Sequence, residues 1–181
     1  MAIYFTSDLH FCHNRDFIWQ PRGCTSVYDM NIKIISNWHD MVDYDDDVYI
    51  LGDIMLNNND EGIRLLKALN GKLHIIRGNH DTNTRMELYK KCYNVVSVSE
   101  GEFFDYNGYH FYLSHYPCLC SNSDEDKPLK KRMINLCGHI HTPHKFLDMD
   151  KGLIYHVELD AHNLKPVSID TIIQDIESYI K

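Results

Sequence analysis

The sequence predicts an α/β fold in which short strands form two packed sheets with helices outside. Three observations lead there. In the first half, apolar runs of strand length alternate with segments whose apolar residues recur at helical spacing. The second half is mostly strand, with Asn107-Gly108 between two runs as a hairpin turn, because both residues accept positive φ. Polar clusters of Asp, Asn and His follow several strands directly, the position at which α/β sheets bind ligands.

Taken in order, Ile3–Thr6 reads as the first strand. Asp29 caps a helix running to about Met41, with Met30, Ile34, Ile35 and Trp38 near helical spacing. Residues 45–47 make a polar turn, and residues 48–51 a buried strand. Asp60 caps a second helix with Ile63, Leu65, Leu66 and Leu69 on its core face, and Gly71 stops it. Residues 73–76 form the next buried strand, and a helix follows near residues 85–91. Strands are then expected at residues 95–98, Glu102–Tyr106, residues 109–114, Met133–Cys137 and residues 153–157. Ser168 or Asp170 caps a final helix through Tyr179 carrying Ile172, Ile173, Ile176 and Ile180. Residues 116–131 are polar and aperiodic, the signature of a long loop.

The chain is 181 residues, the length of one domain, so residues 1–181 are read as a single domain. Lys and Arg total 18 against 26 Asp and Glu, a net charge of −8 that argues against long nucleic acid as partner. The 44% hydrophobic share excludes disorder as the main state. The start is short and uncharged for a leader, and no apolar run approaches the roughly 18 residues of a membrane span. Six cysteines without a C-x-x-C pair fit free thiols in a reducing cytoplasm. Cys118 and Cys120 read as two loop thiols, with redox or soft-metal chemistry the alternative.

The unusual count is 12 histidines. Five polar clusters, each just after an apolar strand, hold Asp8 and His10, Gly52-Asp53, Gly78-Asn79-His80-Asp81, His115, and Gly138-His139 with His141. Asp8 and His10 are spaced i, i+2, as are His139 and His141, and in an extended chain each pair points to one face. Glycines before Asp53, Asn79 and His139 permit close backbone approach. Asp8, His10, Asp53, Asn79, His115, His139 and His141 exceed one ion's needs. With one carboxylate bridging they suit two ions about 3.5–4 Å apart, a known hydrolytic arrangement. An oxygen and nitrogen set without thiolate favours Mn²⁺, Fe or Zn²⁺ over copper, with Mn²⁺ the first choice.

These ordered blocks resemble the calcineurin-like metallophosphoesterases, closest to small single-domain bacterial and phage-type members. The resemblance runs from Met1 to about Asp170. It includes the opening Ser7-Asp8-Leu9-His10-Phe11 and the ending Asp160-Ala161-His162-Asn163 through Pro166-Val167-Ser168. Cys12 departs from the glycine expected there and removes no ligand. The resemblance implies a four-layer α/β/β/α sandwich, two mixed β-sheets flanked by helices, with a binuclear metal centre. It implies one metal on Asp8, His10 and His141, the other on Asn79, His115 and His139, and Asp53 bridging them. Two divalent ions sharing a water make hydroxide available to attack phosphorus. His80 is then the general acid for the leaving group or a phosphate contact. Asp81 either bonds the His80 ring and holds its tautomer or serves as a turn or helix cap.

His13 and Arg15 are placed to reach a substrate phosphate, and Arg22 more weakly so. The basic residues Lys127, Lys130, Lys131 and Arg132 read as a solvated run rather than a steering patch. Tyr116 and Pro117 are candidates for a pocket wall. His39, His74 and His110 read as structural or exposed, and His144, His156 and His162 have no assigned partner. The expected activity is metal-dependent hydrolysis of a small phosphate ester or nucleotide. A chain without a cap domain implies an open site, favouring phosphodiesters over phosphomonoesters. The alternatives are a scaffold with a vestigial site and a sensor that binds a nucleotide without turnover. Every ligand position and His80 are filled, which argues against the scaffold.

Overall fold

The computed structural model describes residues 1–120, 127–147 and 153–180. A five-stranded sheet has the order β4-β3-β2-β1-β9, from β1 (Ile3–Thr6), β2 (Asp47–Leu51), β3 (Lys72–Ile76), β4 (Val95–Ser99) and β9 (Val167–Ser168). A four-stranded sheet has the order β5-β6-β7-β8, from β5 (Glu102–Tyr106), β6 (Tyr109–Leu113), β7 (Met133–Cys137) and β8 (Ile154–His156). Both sheets are mixed: β9 runs antiparallel to β1 and β5 antiparallel to β6, while the other pairings are parallel. Helices flank the pair.

Strand alternation sorts the core. Val48, Ile50, Leu73 and Ile75 face one side of the first sheet. There they meet α2 (Val27–His39), α3 (Asn59–Lys67) and α4 (Asn83–Tyr89) through Met30, Ile34, Trp38, Leu65, Leu66 and Met86. Phe5, Tyr49, Leu51 and Ile76 face the other way. They pack on Phe111, Leu113, Leu136 and Tyr155 of the second sheet and on Ile172 and Ile176 of α5 (Ile169–Ile180). Burying each large side chain contributes roughly 1.5–3 kcal/mol. Tyr109 and Tyr155 donate to Glu177 and Asp175, so α5 ties to β6 and β8 as well as packing beside β1.

Several boundaries differ from expectation. Ser26, not Asp29, caps α2: its Oγ accepts the Asp29 N–H at 3.1 Å, and Asp29 accepts from the Thr25 N–H. Asn58, not Asp60, caps α3 by accepting the Glu61 N–H. Helix α3 ends at Lys67, and Gly71, at φ +95°, instead forms the turn into β3. Helix α4 starts two residues early because Thr82 caps it. The Ser168 Oγ accepts the Thr171 N–H at the start of α5. A four-residue α1 (Asp16–Trp19) and the two-residue β9 are too short to carry a periodic signal. Of the predicted 116–131 loop, residues 121–126 lie outside the described residues, and Leu129–Lys131 is a 3₁₀ turn. In the basic run, Lys130 and Arg132 donate to the carbonyls of Asn107 and Lys127. The orientation of β1, β2 and β3, all parallel, brings the loops after them to one end of the molecule.

Candidate metal centre

The loop after β1 is laced to the loop after β2: the N–H groups of Asp8 and His10 donate to the carbonyls of Gly52 and Asp53, each at 3.0 Å. The two sheets join through Asp8, whose Oδ2 accepts from the Ser7 hydroxyl at 2.7 Å and from the His139 N–H at 2.8 Å. Gly138 makes that join possible, since a Cβ there would lie 2.0 Å from Ser7 Oγ and 2.2 Å from Asp8 Oδ2. Gly138→Ala should therefore displace Asp8. Overpacking of this kind costs roughly 1–3 kcal/mol, a thermal midpoint lower by about 2–12 °C. A melting curve matching wild type would show that the join is slack.

The i, i+2 pairs converge, but the chain is not extended there. Asp8, His10, His139 and His141 have φ of +58°, +51°, +80° and +51°, and Asp53 has +57°. Left-handed backbone turns both members of each pair inward. Asp, Asn and His tolerate that region better than other non-glycine residues, and such strain clusters at functional sites. Cys12 shares it at φ +64°, which explains why glycine is expected at that position.

All seven candidate ligands are brought together. His10 Nε2 lies 3.6 Å from Asp8 Oδ1 and 3.0 Å from His141 Nε2, and His141 Nε2 lies 3.6 Å from Asp8 Oδ1. Asn79 Oδ1 lies 2.8 Å from His115 Nε2 and 2.9 Å from His139 Nδ1. Asp53 Oδ2 stands between the groups, 3.7 Å from His10 Nε2 and 3.6 Å from His115 Nε2. Asp8, Asp53 and His115 also present oxygen and nitrogen atoms within 4.8 Å of one another.

The polarity of these contacts fits a cation. His115 Nδ1 donates to the Leu51 carbonyl at 2.8 Å, leaving Nε2 as a lone pair that faces Asn79 and Asp53 oxygens. His141 Nδ1 pairs with Asp160 Oδ2 at 3.0 Å, so its Nε2 also points bare into the site. Asp8 Oδ1 is buried without a hydrogen-bond partner, a deficit that normally calls for an ion or water. Burial pushes His10 down to about 4, so its ring is neutral at pH 7. For Asp8, burial works upward, but the adjacent His10, His141 and His115 rings outweigh it and hold the carboxyl below its usual range. Burial, partly offset by His115, holds Asp53 above the usual range. The set of two carboxylates, one amide and four imidazoles suits divalent Mn, Fe or Zn.

Other assignments sort differently. His80 is half-exposed beside the ligands, its Nε2 3.8 Å from Asp53 Oδ2, and its backbone N–H donates to Asp53 Oδ1. His13 is buried, with Nδ1 3.3 Å from His10 Nδ1. Arg15 is exposed, and no described side-chain bond ties it to the site. Asp81 needs correction: its carboxylate accepts from the N–H groups of Asp53, Ile54 and Gly78 and from the Tyr89 hydroxyl. Four donors hold it under the loops, so it positions backbone instead of orienting the His80 ring. Arg22 is likewise buried and donates to Asp160 and to the carbonyls of Asp8 and Leu9, out of reach of a substrate phosphate. His39, His74 and His110 bond to Ala68, to Asp47 and Ser97, and to Asp105. The buried His156–Glu158 pair holds the loop after β7 through the Thr142 N–H.

The sequence reading gave Asp160 no role, although it belongs to a sixth polar cluster beyond a strand. Its carboxylate accepts from Arg22 at 2.8 and 2.9 Å and from His141 Nδ1. Burial works to raise its pKa, but the bonds to His141 and Arg22 hold it at about 2. Asp160→Asn should loosen the His141 orientation and weaken Mn²⁺ binding about 10–100-fold, the usual effect of such partners. Competition with a chelator measures this, and unchanged affinity would leave Asp160 a purely structural group.

The model of the calcineurin-like phosphoesterase superfamily domain matches residues 1–157. An uncharacterized protein of Methanocaldococcus jannaschii is 34% identical over 181 residues, covering 97% of this chain and 91% of that protein. The gene 66 protein of Mycobacterium phage D29 is 28% identical, with 97% of each chain covered. Among solved structures, a protein of unknown function from Aquifex aeolicus superposes with a TM-score of 0.72 at 24% identity, covering 96% of this chain and 98% of that one. A structure described as a novel archaeal phosphodiesterase shares the fold with a TM-score of 0.51 at 18% identity, covering 86% and 82%. The domain match spans most of this sequence, and the chain therefore belongs to the calcineurin-like phosphoesterase superfamily.

Proposed function

We propose that the protein is a metal-dependent phosphoesterase of the cytoplasm that hydrolyses small phosphodiesters, nucleotide-like ones included, in preference to phosphomonoesters. The observation that carries the reading is the convergence of ligand atoms: the Nε2 atoms of His115 and His141, each with Nδ1 already committed, an Asp8 oxygen without a hydrogen-bond partner and the Asp53 carboxylate face one another. Asp8, His10 and His141 would hold one divalent ion, Asn79, His115 and His139 another, and Asp53 both. Bound there, divalent ions supply an acidified water at neutral pH and offset charge on the phosphoryl oxygens. The chain's own residues do the rest. His80, anchored through its backbone to Asp53 and through its carbonyl to Arg85, donates a proton to the leaving oxygen. His13, against His10, and Arg15 on the loop before α1 contact the phosphate.

The test is hydrolysis of bis-p-nitrophenyl phosphate and p-nitrophenyl phosphate by metal-stripped protein with Mn²⁺ restored. Diester cleavage that requires Mn²⁺ and exceeds monoester cleavage is expected. Silence toward both esters with Mn²⁺, Zn²⁺ and Fe²⁺ would overturn the reading in favour of a binding protein.

A further inference from the structure

Beside the Asn79 and His115 ligands a cavity of about 500 Å³ opens, lined by Arg77, Glu100, Tyr112, Ser114, Tyr116 and Cys118 as well as the two ligands. Its size lies in the range of small-molecule sites, roughly 300–1,000 Å³. We propose that this cavity is a subsite for the group that stays on phosphorus, and that it takes a neutral aromatic group with a hydrogen-bonding edge, a nucleoside. The proposal rests on the phosphoesterase reading and adds its substrate class.

Three features support it. Two tyrosine rings line the cavity: Tyr116 stands edge-on to His139 at 4.7 Å and to His115 at 5.1 Å, and Tyr112 is backed by the exposed Phe103 at 5.2 Å. Rings of this kind stack with any base. Among the described residues, the one cation lining the cavity is already paired, because Arg77 donates to Glu100, to Asn83 and to the Asp81 carbonyl. A neutral ion pair offers donors and acceptors to the edge of a base and gives no net attraction to a second phosphate or a carboxylate. Finally, His80, His10 and His13 are not among the lining residues. A leaving group protonated by His80 departs away from this cavity, so the occupant is the substituent that remains.

The test compares two esters with the same leaving group, methyl p-nitrophenyl phosphate and thymidine 5′-(p-nitrophenyl phosphate), on the Mn²⁺-loaded protein. The nucleoside ester should be preferred in kcat/KM by about tenfold or more, in line with the loss of a single stacking ring. Tyr112→Ala should bring the ratio of the two esters towards one through KM, and Tyr112→Phe should restore it. A wild-type ratio near one, or a ratio that Tyr112→Ala leaves in place, would overturn the subsite. If neither ester turns over, the phosphoesterase reading fails, and calorimetry with thymidine 5′-monophosphate decides the subsite separately. Binding lost in Tyr112→Ala and kept in Tyr112→Phe supports it, and no binding by wild type refutes it.

Discussion

Asp53→Asn is expected to remove Mn²⁺-dependent ester cleavage and to weaken Mn²⁺ binding by more than about 10²-fold, beyond the 10–100-fold that loss of a ligand's supporting partner brings. Asp53 Oδ2 is 3.6 Å from His115 Nε2 and 3.7 Å from His10 Nε2, so one oxygen faces both clusters. Its other oxygen accepts the His80 N–H at 2.8 Å. The amide can keep that bond through its own oxygen, but then its NH₂ faces the clusters, where a cation needs a lone pair. Asn keeps the volume, so the fold should survive. Circular dichroism matching wild type, together with lost turnover and lost metal in an elemental assay, is the expected combination. Full metal content would assign Asp53 elsewhere.

His80→Ala should give the opposite pairing, with metal content retained and kcat lowered by about 10²–10⁴-fold, the range for general acid catalysis. The imidazole reaches Asp53 at 3.8 Å, whereas the loop geometry depends on the His80 backbone, which alanine preserves. A substrate with a good leaving group, such as a p-nitrophenyl ester, should lose less than an alkyl ester, because its oxygen needs less protonation. Equal losses for the two leaving groups, or loss of metal, would contradict the proton-donor role.

Much of this was readable in the sequence because the parallel strands announce themselves as apolar runs and each candidate ligand follows one closely. Ile3–Thr6, Glu102–Tyr106 and Met133–Cys137 have the expected bounds since a turn residue or charge closes each run. Helix starts were harder. Thr25, Ser26 and Asp29, or Asn58, Asn59 and Asp60, are all able to cap, and only the backbone path selects Ser26 and Asn58. Spacing pointed to the paired ligands for an inexact reason: the i, i+2 residues meet through left-handed turns, not an extended chain. Arg22 and Asp160 meet across 138 positions, and no local pattern encodes such a contact. Of the two roles open to Asp81, the His80 contact is not the one the fold uses, because the carboxylate's partners are the N–H groups of Gly78, Asp53 and Ile54 and the Tyr89 hydroxyl, most of them distant in sequence.

The buried carboxylate of Asp81 has a wider meaning. It fastens the loops after β2 and β3 to each other and to Tyr89 with protein donors only. Arg22 and Asp160 do the same for the first loop and His141. The ordering entropy of the ligands is thus met when the chain folds, unlike in domains that gain their structure from the metal. The cost of arranging these side chains therefore falls on folding, and occupancy of the site adds none of it.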